Sequence, residues 1–188
     1  MKYCPICAAH YENDVDLCAT DGATLKVSGK IDPYEGKIIR GRYQVLNKIG
    51  EGGMGTVYLA EQLSVGRKVA LKVLQGNYAA DDDFIGRFRR EARLAAALNH
   101  RNIVTLFDFD QADDGSLFIA MEYLKGEKLS DLIHRDGPFE VDRVARLGLQ
   151  IAEGLDAAHG AGVIHRDIKP DNVMVVRGGK GEDRKSVV

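Results

Sequence analysis

Near one end of the chain, three side chains of different chemistry stand at short intervals. They are the carboxylate of Asp167, the ammonium of Lys169 two residues on and the amide of Asn172 five residues on. A hydroxyl is a weak nucleophile at neutral pH, and a carboxylate can orient it and accept its proton. An ammonium is a compact point charge for an anion, and an amide oxygen can ligate a hard divalent cation. Around them stand His165, Arg166, Ile168, Pro170 and Asp171, and the run Val173-Met174-Val175-Val176 follows. A second concentration of chemistry lies at the other end. All three cysteines, Cys4, Cys7 and Cys18, fall in the first 18 residues, with His10 and Asp21 beside them. Thiolate, imidazole and carboxylate are the donors that tetrahedral Zn²⁺ accepts.

The elements that must position these groups can be read from periodicity and breakers. Tyr43-Gln44-Val45-Leu46-Asn47-Lys48-Ile49 reads as a strand, and Gly50-Glu51-Gly52-Gly53-Met54-Gly55 gives G-x-G-x-x-G. Dinucleotide-binding folds share that motif, but there the glycines open a helix. Here they run into Thr56-Val57-Tyr58-Leu59-Ala60, which is β-branched, aromatic and strand-like. Glycines leave such a hairpin loop free of Cβ atoms, so its backbone can approach phosphates. In the strand from Arg67 to Leu74, alternation puts Val69, Leu71 and Val73 on one face and Ala70 and Lys72 on the other. Residues 81–98 read as a helix, with Asp81, Asp82 and Asp83 suited to the dipole at its start. Phe84, Phe88, Glu91, Ala95 and Leu98 share one stripe of that helix. A carboxylate on an apolar stripe needs a partner, because burying it unpaired is costly. Two strands follow, at 106–109 and 117–121, then a short helix over 129–135 and a longer one over 139–160. The stripe expected on the long helix is Val141, Val144, Gly148, Ile151, Leu155 and Ala158. Residues 177–183 read as a polar turn and 184–188 as the start of a return strand.

These motifs together resemble the protein kinases. His165-Arg166-Asp167-Ile168-Lys169-Pro170-Asp171-Asn172 resembles the catalytic loop of the serine/threonine members, and Val69-Ala70-Leu71-Lys72 resembles their strand-three V-A-I-K. The glycine loop through Tyr58 is especially similar to bacterial members. His100-Arg101-Asn102-Ile103-Val104 resembles the stretch after helix C, with His100 structural, and Met121-Glu122-Tyr123-Leu124 resembles the gatekeeper and hinge. The resemblance implies an α+β, kinase-like fold: a five-stranded antiparallel sheet with helix C, then a partial helical second lobe. It implies transfer of the γ-phosphoryl of ATP to Ser/Thr hydroxyls of protein substrates with Mg²⁺. In that scheme Asp167 orients the hydroxyl, Asn172 holds Mg²⁺, and Lys169 and Lys72 stabilise phosphate charge. Lys72 holds the α- and β-phosphates and pairs with Glu91. Ile49, Gly50, Glu51, Gly52, Gly53, Met54, Gly55, Thr56 and Val57 cover the nucleotide. Ala70 and Met121 shape the adenine pocket, and backbone groups of Glu122 and Leu124 bond the base. His165 supports the loop, and Arg166 resembles the arginine that binds a phosphorylated activation-loop residue.

Bulk properties agree with a folded chain. The 188 residues are 45% hydrophobic and 29% charged, which suits a globular core. The net charge of −2 gives no reason to expect nucleic acid as a partner. No apolar run reaches the ~18 residues of a membrane span, and no signal peptide is evident, so a cytoplasmic location is expected, with an anchor beyond residue 188 left open. Residues 1–27 resemble the small zinc ribbons that begin some bacterial proteins. Cys4, Cys7 and Cys18 supply three ligands, and the fourth is Asp21 by spacing or His10 by chemistry. A redox C-x-x-C lacks its βαβ context here. Residues 28–42 read as a linker, 43–124 as the nucleotide lobe and hinge, and 125–188 as the start of the second lobe. The sequence contains no Asp-Phe-Gly, so this piece is expected to be inactive by itself. The alternative is a non-catalytic module that binds nucleotide or a partner, the zinc ribbon included.

Overall fold

Three thiols and a handful of apolar residues can organise only a small body, and residues Met1–Glu35 form one compact unit of their own. It holds three two-residue strands, β1 (Lys2–Tyr3), β2 (His10–Tyr11) and β3 (Lys26–Val27), ordered β2-β1-β3 and antiparallel. Its core is Cys4, Cys18 and Leu25, with Tyr11 and Ala23 packed against it. The computed structural model describes residues 2–4, 6–7, 9–12, 14–27, 32–52, 55–74, 82–177 and 183–187.

The second unit is Gly36–Val188. Its main sheet is antiparallel throughout, ordered β4-β5-β6-β7-β9-β8. The strands are β4 (Ile38–Ile39), β5 (Tyr43–Gly52), β6 (Gly55–Gln62), β7 (Arg67–Leu74), β8 (Leu106–Gln111) and β9 (Leu117–Glu122). Among the described residues this sheet has six strands where five were expected. The extra one, β4, lies inside the stretch read as linker. Arg40 (φ 52°) and Gly41 (φ 64°) make a two-residue turn, closed by the Arg42 amide donating to Ile39 O at 3.0 Å. A turn with positive φ at both central residues suits a tight hairpin, and it lets Ile38 and Ile39 pair with Gln44 and Tyr43.

Strand β7 is central, and one of its faces is fully covered. Val69, Leu71 and Val73 are almost fully buried, and so are Tyr58, Ala60, Phe118 and Ala120 on the neighbouring strands. The Tyr43 ring meets Phe118 edge-on, with centroids 5.7 Å apart. Helix α1 (Asp82–Ala96) packs against β8.

Beyond β9 the chain forms β10 (Gly126–Lys128), α2 (Leu129–Asp136) and α3 (Val141–Gly160), then β11 (Val173–Arg177) and β12 (Asp183–Val187). The three strands make a small antiparallel sheet ordered β10-β11-β12. Leu132, Leu147 and Val175 are its shared core, with Leu129 and Phe139 against them. The stripe expected on helix α3 is divided. Val141 is 81% exposed and Val144 53%, whereas Ala158 of the same stripe is buried, as are Leu147 and Gly154 from outside it. Apolar residues occur all round this helix, at Ala145, Leu149 and Ala152 as well. Periodicity therefore marks the helix without fixing which face turns inward. Among the described residues no helix is long and apolar enough to cross a membrane.

Candidate functional site

The face of the sheet that carries Lys72 follows from register. In antiparallel strands, directly opposed residues point to the same face. Lys72 lies between Val57 on β6 and Ile119 on β9, and Ala70 lies between Leu59 and Met121. Ala70, Met121 and Val104 form one buried cluster, with Val57, Ile119, Tyr123 and Leu124 packed against it. Lys72 thus shares a face with a small apolar patch, as alternation predicts. Gly55 shows why the glycine loop ends where it does. Its φ is 156°, and a Cβ there would sit 2.2 Å from Val73 O. Ile49 is 43% exposed beside it, and Lys48 and Glu51 form an ion pair along the same segment. Gly53 and Met54 lie outside the described residues, as do the side chains of Glu91, Phe84 and Phe88, so the expected Lys72–Glu91 pair is outside what the structure describes. The hinge backbone is fixed at two points: the Glu122 amide donates to Thr105 O (2.9 Å), and the Gly126 amide to Leu124 O (3.1 Å).

The loop after α3 gathers the three groups singled out by spacing. Gly162 (φ 78°) turns the chain out of the helix, and Arg166 adopts φ 63°, a conformation rare for a residue with a Cβ. The Asp167 amide then donates to His165 Nδ1 at 3.3 Å, so the histidine braces the loop through its ring. Asn172 Nδ2 donates to Asp167 O (2.8 Å) and to Asp167 Oδ2 (3.0 Å). Lys169 Nζ sits 2.9 Å from the same Oδ2. Pro170 opens a single 3-10 turn, Pro170–Asn172, which carries Asn172 back towards Asp167, and the Asn172 backbone amide donates to Lys169 O at 2.9 Å. The next residue, Val173, is 1% exposed and anchors the loop on β11. The hydrogen bond from Lys169, joined by that from Asn172, holds the Asp167 carboxyl below the usual aspartate range, against the opposing effect of burial. The result is an ionised, half-exposed carboxylate held between a cation and an amide.

Two supports were not foreseen from sequence. Asn102, 1% exposed, donates through Nδ2 to Glu153 Oε2 on α3 at 3.0 Å. Its amide donates to His100 Nδ1 at 3.3 Å, which gives His100 the structural role expected of it. Gly154 makes room for this contact, since a Cβ there would lie 3.1 Å from Asn102 O. Glu153 is one polar residue among many on a long helix, so only its distance to Asn102 reveals it. The other support joins the β4–β5 hairpin to β8. Arg42 pairs with Asp108 (2.6 Å) and Asp110 (2.5 Å), and Tyr43 donates to Asp108 at 2.8 Å. Burial first, then that hydrogen bond, raises the Tyr43 phenol above its ordinary range. The alternation of acids in Leu106–Gln111 was the available signal.

In the first unit, one donor atom from each of Cys4, Cys7, Cys18 and Asp21 lies within 4.8 Å of the other three. Cys4 Sγ is 3.4 and 3.2 Å from the two Asp21 oxygens, and Cys7 Sγ is 3.5 Å from Cys18 Sγ. Of the two candidates for a fourth donor, the structure brings Asp21 into the cluster, and the His10 side chain lies outside the described residues. The Ala23 amide, then the Cys18 thiol, holds the Asp21 carboxyl at about 2. An Ala9 backbone hydrogen bond favours the Cys7 thiolate, but desolvation and the neighbouring thiols push the group up to about 12.

The profile of the protein kinase domain matches residues 43–182. The chain belongs to the protein kinase domain family. Relatives of this kinase segment include the serine/threonine-protein kinase pkn3 of Myxococcus xanthus, 50% identical over 144 residues, covering 77% of this chain and 26% of that protein. PrkC of Bacillus subtilis is 45% identical over 140 residues, covering 74% of this chain and 22% of its own. The crystal structure of the Mycobacterium tuberculosis PknI kinase domain superposes with a TM-score of 0.71 at 35% identity, covering 81% of this chain and 59% of that one. The segment therefore spans about a quarter of pkn3 and PrkC, and its fold is that of the kinases.

Proposed function

We propose that this kinase segment supplies the nucleotide lobe and catalytic loop for transfer of the γ-phosphoryl of ATP to Ser/Thr hydroxyls of protein substrates. The observation that carries the reading is the ionised Asp167 carboxylate gripped by Lys169 and Asn172. The residues present fit the nucleotide, and Asn172 supplies one of the ligands that Mg²⁺ would need beside it. The apolar patch at Ala70, Met121, Val57 and Leu124 suits an adenine ring, and the backbone at Gly55 leaves no room for a side chain. Ile49, Gly50, Glu51, Gly52, Gly53, Met54, Gly55, Thr56 and Val57 would cover the phosphates, and Lys72, paired with Glu91, would hold them. Glu122 and Leu124 would bond the base through their backbone. Asn172 would offer its amide oxygen to Mg²⁺ while its nitrogen stays on Asp167. Bound Mg²⁺ supplies neutralisation of phosphate charge. Asp167 orients the acceptor hydroxyl and takes its proton, and Lys169 steadies the anionic charge beside it. A cytoplasmic location, where ATP is available, goes with this reading.

Titration of the chain with Mg·ATP tests it. Lys72→Met is expected to weaken binding by about tenfold, the loss of a charged contact worth ~1.5 kcal/mol. Asp167→Asn is expected to keep binding while abolishing transfer of labelled phosphate in the protein that contains this segment. Binding without transfer in the unaltered protein would favour a nucleotide- or partner-binding module instead.

A second reading concerns residues 1–27, which we assign to a structural zinc unit held by Cys4, Cys7, Cys18 and Asp21, with residues 28–42, apart from strand β4, as the joint, 43–124 as the nucleotide lobe and hinge, and 125–188 as the second lobe's start. The mutual 4.8 Å spread of the four donors favours it. Four protein ligands leave no open position for catalysis at such a site. One equivalent of zinc in the purified chain, lost in Cys4→Ser, is the expected result, and a metal-free chain with an ordered N-terminal unit would refute it.

A further inference from the structure

This inference rests on the zinc reading and concerns the corner of the site that Asp21 occupies. The four donors are not equivalent. Cys4 and Cys18 are 1% and 3% exposed, while Cys7 and Asp21 are exposed. Cys4 Sγ accepts the amides of Ile6 (3.4 Å) and Cys7 (3.5 Å). Cys18 Sγ accepts the Thr20 amide (3.4 Å) and lies 3.1 Å from the Tyr11 hydroxyl. That hydroxyl is itself held by the Ala19 amide at 3.2 Å. These bonds lower the charge on the buried sulfurs and fix their direction, as outer partners of zinc ligands do. Asp21 differs in kind as well as in place. Carboxylate is the hard donor in an otherwise soft set. Its Oδ1 also accepts the Ala23 amide at 3.0 Å, a bond inside its own loop. A carboxylate that left the metal would therefore stay hydrogen-bonded and face water, with little desolvation cost to oppose departure.

We propose that the Asp21 corner is an exchangeable coordination position: a low-molecular-weight thiol displaces the carboxylate from zinc while Cys4, Cys7 and Cys18 keep hold. One Zn–O bond breaks and one Zn–S bond forms. The thiol proton passes to water, and no electron moves. The buried pair is the anchor, and the exposed pair is the open side.

The test uses the whole chain with Co²⁺ in place of zinc and 2-mercaptoethanol as the thiol. The d–d bands of the three-sulfur, one-oxygen site are expected to move to longer wavelength on titration, towards those of a four-sulfur site. Asp21→Cys should show the four-sulfur bands from the outset and not respond to thiol. Its zinc should pass to a chromophoric chelator about tenfold more slowly than that of the unaltered chain, within the span that neighbours of a metal ligand command. Bands unmoved by thiol in the unaltered chain, or stripped to free Co²⁺, would overturn the proposal, and that arm does not depend on any variant folding. A chain that takes up neither Co²⁺ nor zinc would remove the zinc reading itself, a different failure from bound Co²⁺ indifferent to thiol.

Discussion

At the scale of single residues, the loop at Asp167 depends on which groups share one carboxylate oxygen. Asp167 Oδ2 receives both Lys169 Nζ and Asn172 Nδ2. Its folded pKa is depressed, so its ionised form contributes stability above the unfolded value of ~3.9, and that contribution is lost as pH falls through the folded pKa. Lys169→Met removes the largest cause of the depression. The carbon-13 shift of the Asp167 carboxyl, followed through an acid titration, should then show a midpoint at higher pH than in the unaltered chain. An unmoved midpoint would mean that Lys169 does not set the charge. Asn102 is the second informative residue. It is buried, and its amide is bound to a carboxylate on α3. Asn102→Ala leaves Glu153 short of a donor, and bonds to charged groups contribute about 1.5–3 kcal/mol. For a unit of this size a loss of that order lowers Tm by roughly 4–10 °C. Calorimetry checks it, and a change under a degree would show that Glu153 re-pairs with water.

At the scale of elements, the close approach of β6 to β7 makes Gly55 the position most sensitive to a methyl group. A Cβ there meets Val73 O at 2.2 Å, against backbone that cannot swing aside. Gly55→Ala should open the end of the hairpin, lower the melting temperature and weaken Mg·ATP binding. Gly52→Ala, with nothing within 4 Å of its added Cβ, should leave the melting temperature nearly unchanged. Equal effects of the two would mean that the close approach is not what matters. These elements were legible to different degrees. The strand carrying Ala70 and Lys72, and the loop carrying Asp167, announced themselves because alternation and motif spacing are local properties of the chain. Strand β4 was hidden because two residues carry no period, and only the Arg40-Gly41 turn next to Ile38-Ile39 hinted at it. The inward face of α3 was not legible because its apolar residues surround the axis, so its phase is set by packing partners distant in sequence. The Asn102–Glu153 bond spans 51 positions, and no local pattern encodes such a pair.

At the scale of the whole molecule, the two units draw on different sources of stability. The unit at Gly36–Val188 buries large side chains, among them Tyr43, Tyr58, Phe118 and Leu71. Among the described residues of Met1–Glu35, the buried core is only Cys4, Cys18 and Leu25, and two of those three are thiols. So few apolar groups cannot offset the chain entropy of ordering ~30 residues, which small folds usually recover through metal or disulfide. The three cysteines are free, and on the zinc reading the metal is the remaining source. On the zinc reading, a strong chelator acts on one unit alone. Amide resonances of residues 1–27 should collapse towards unfolded positions while those of β5, β6, β7 and β9 stay in place, and added zinc should restore the first set. Lowering the pH with zinc present should produce the same selective loss, because thiolates must be deprotonated to bind metal. If chelation instead left the amides of Cys4 and Cys18 dispersed, the small core would be holding itself, and metal would be dispensable to the fold.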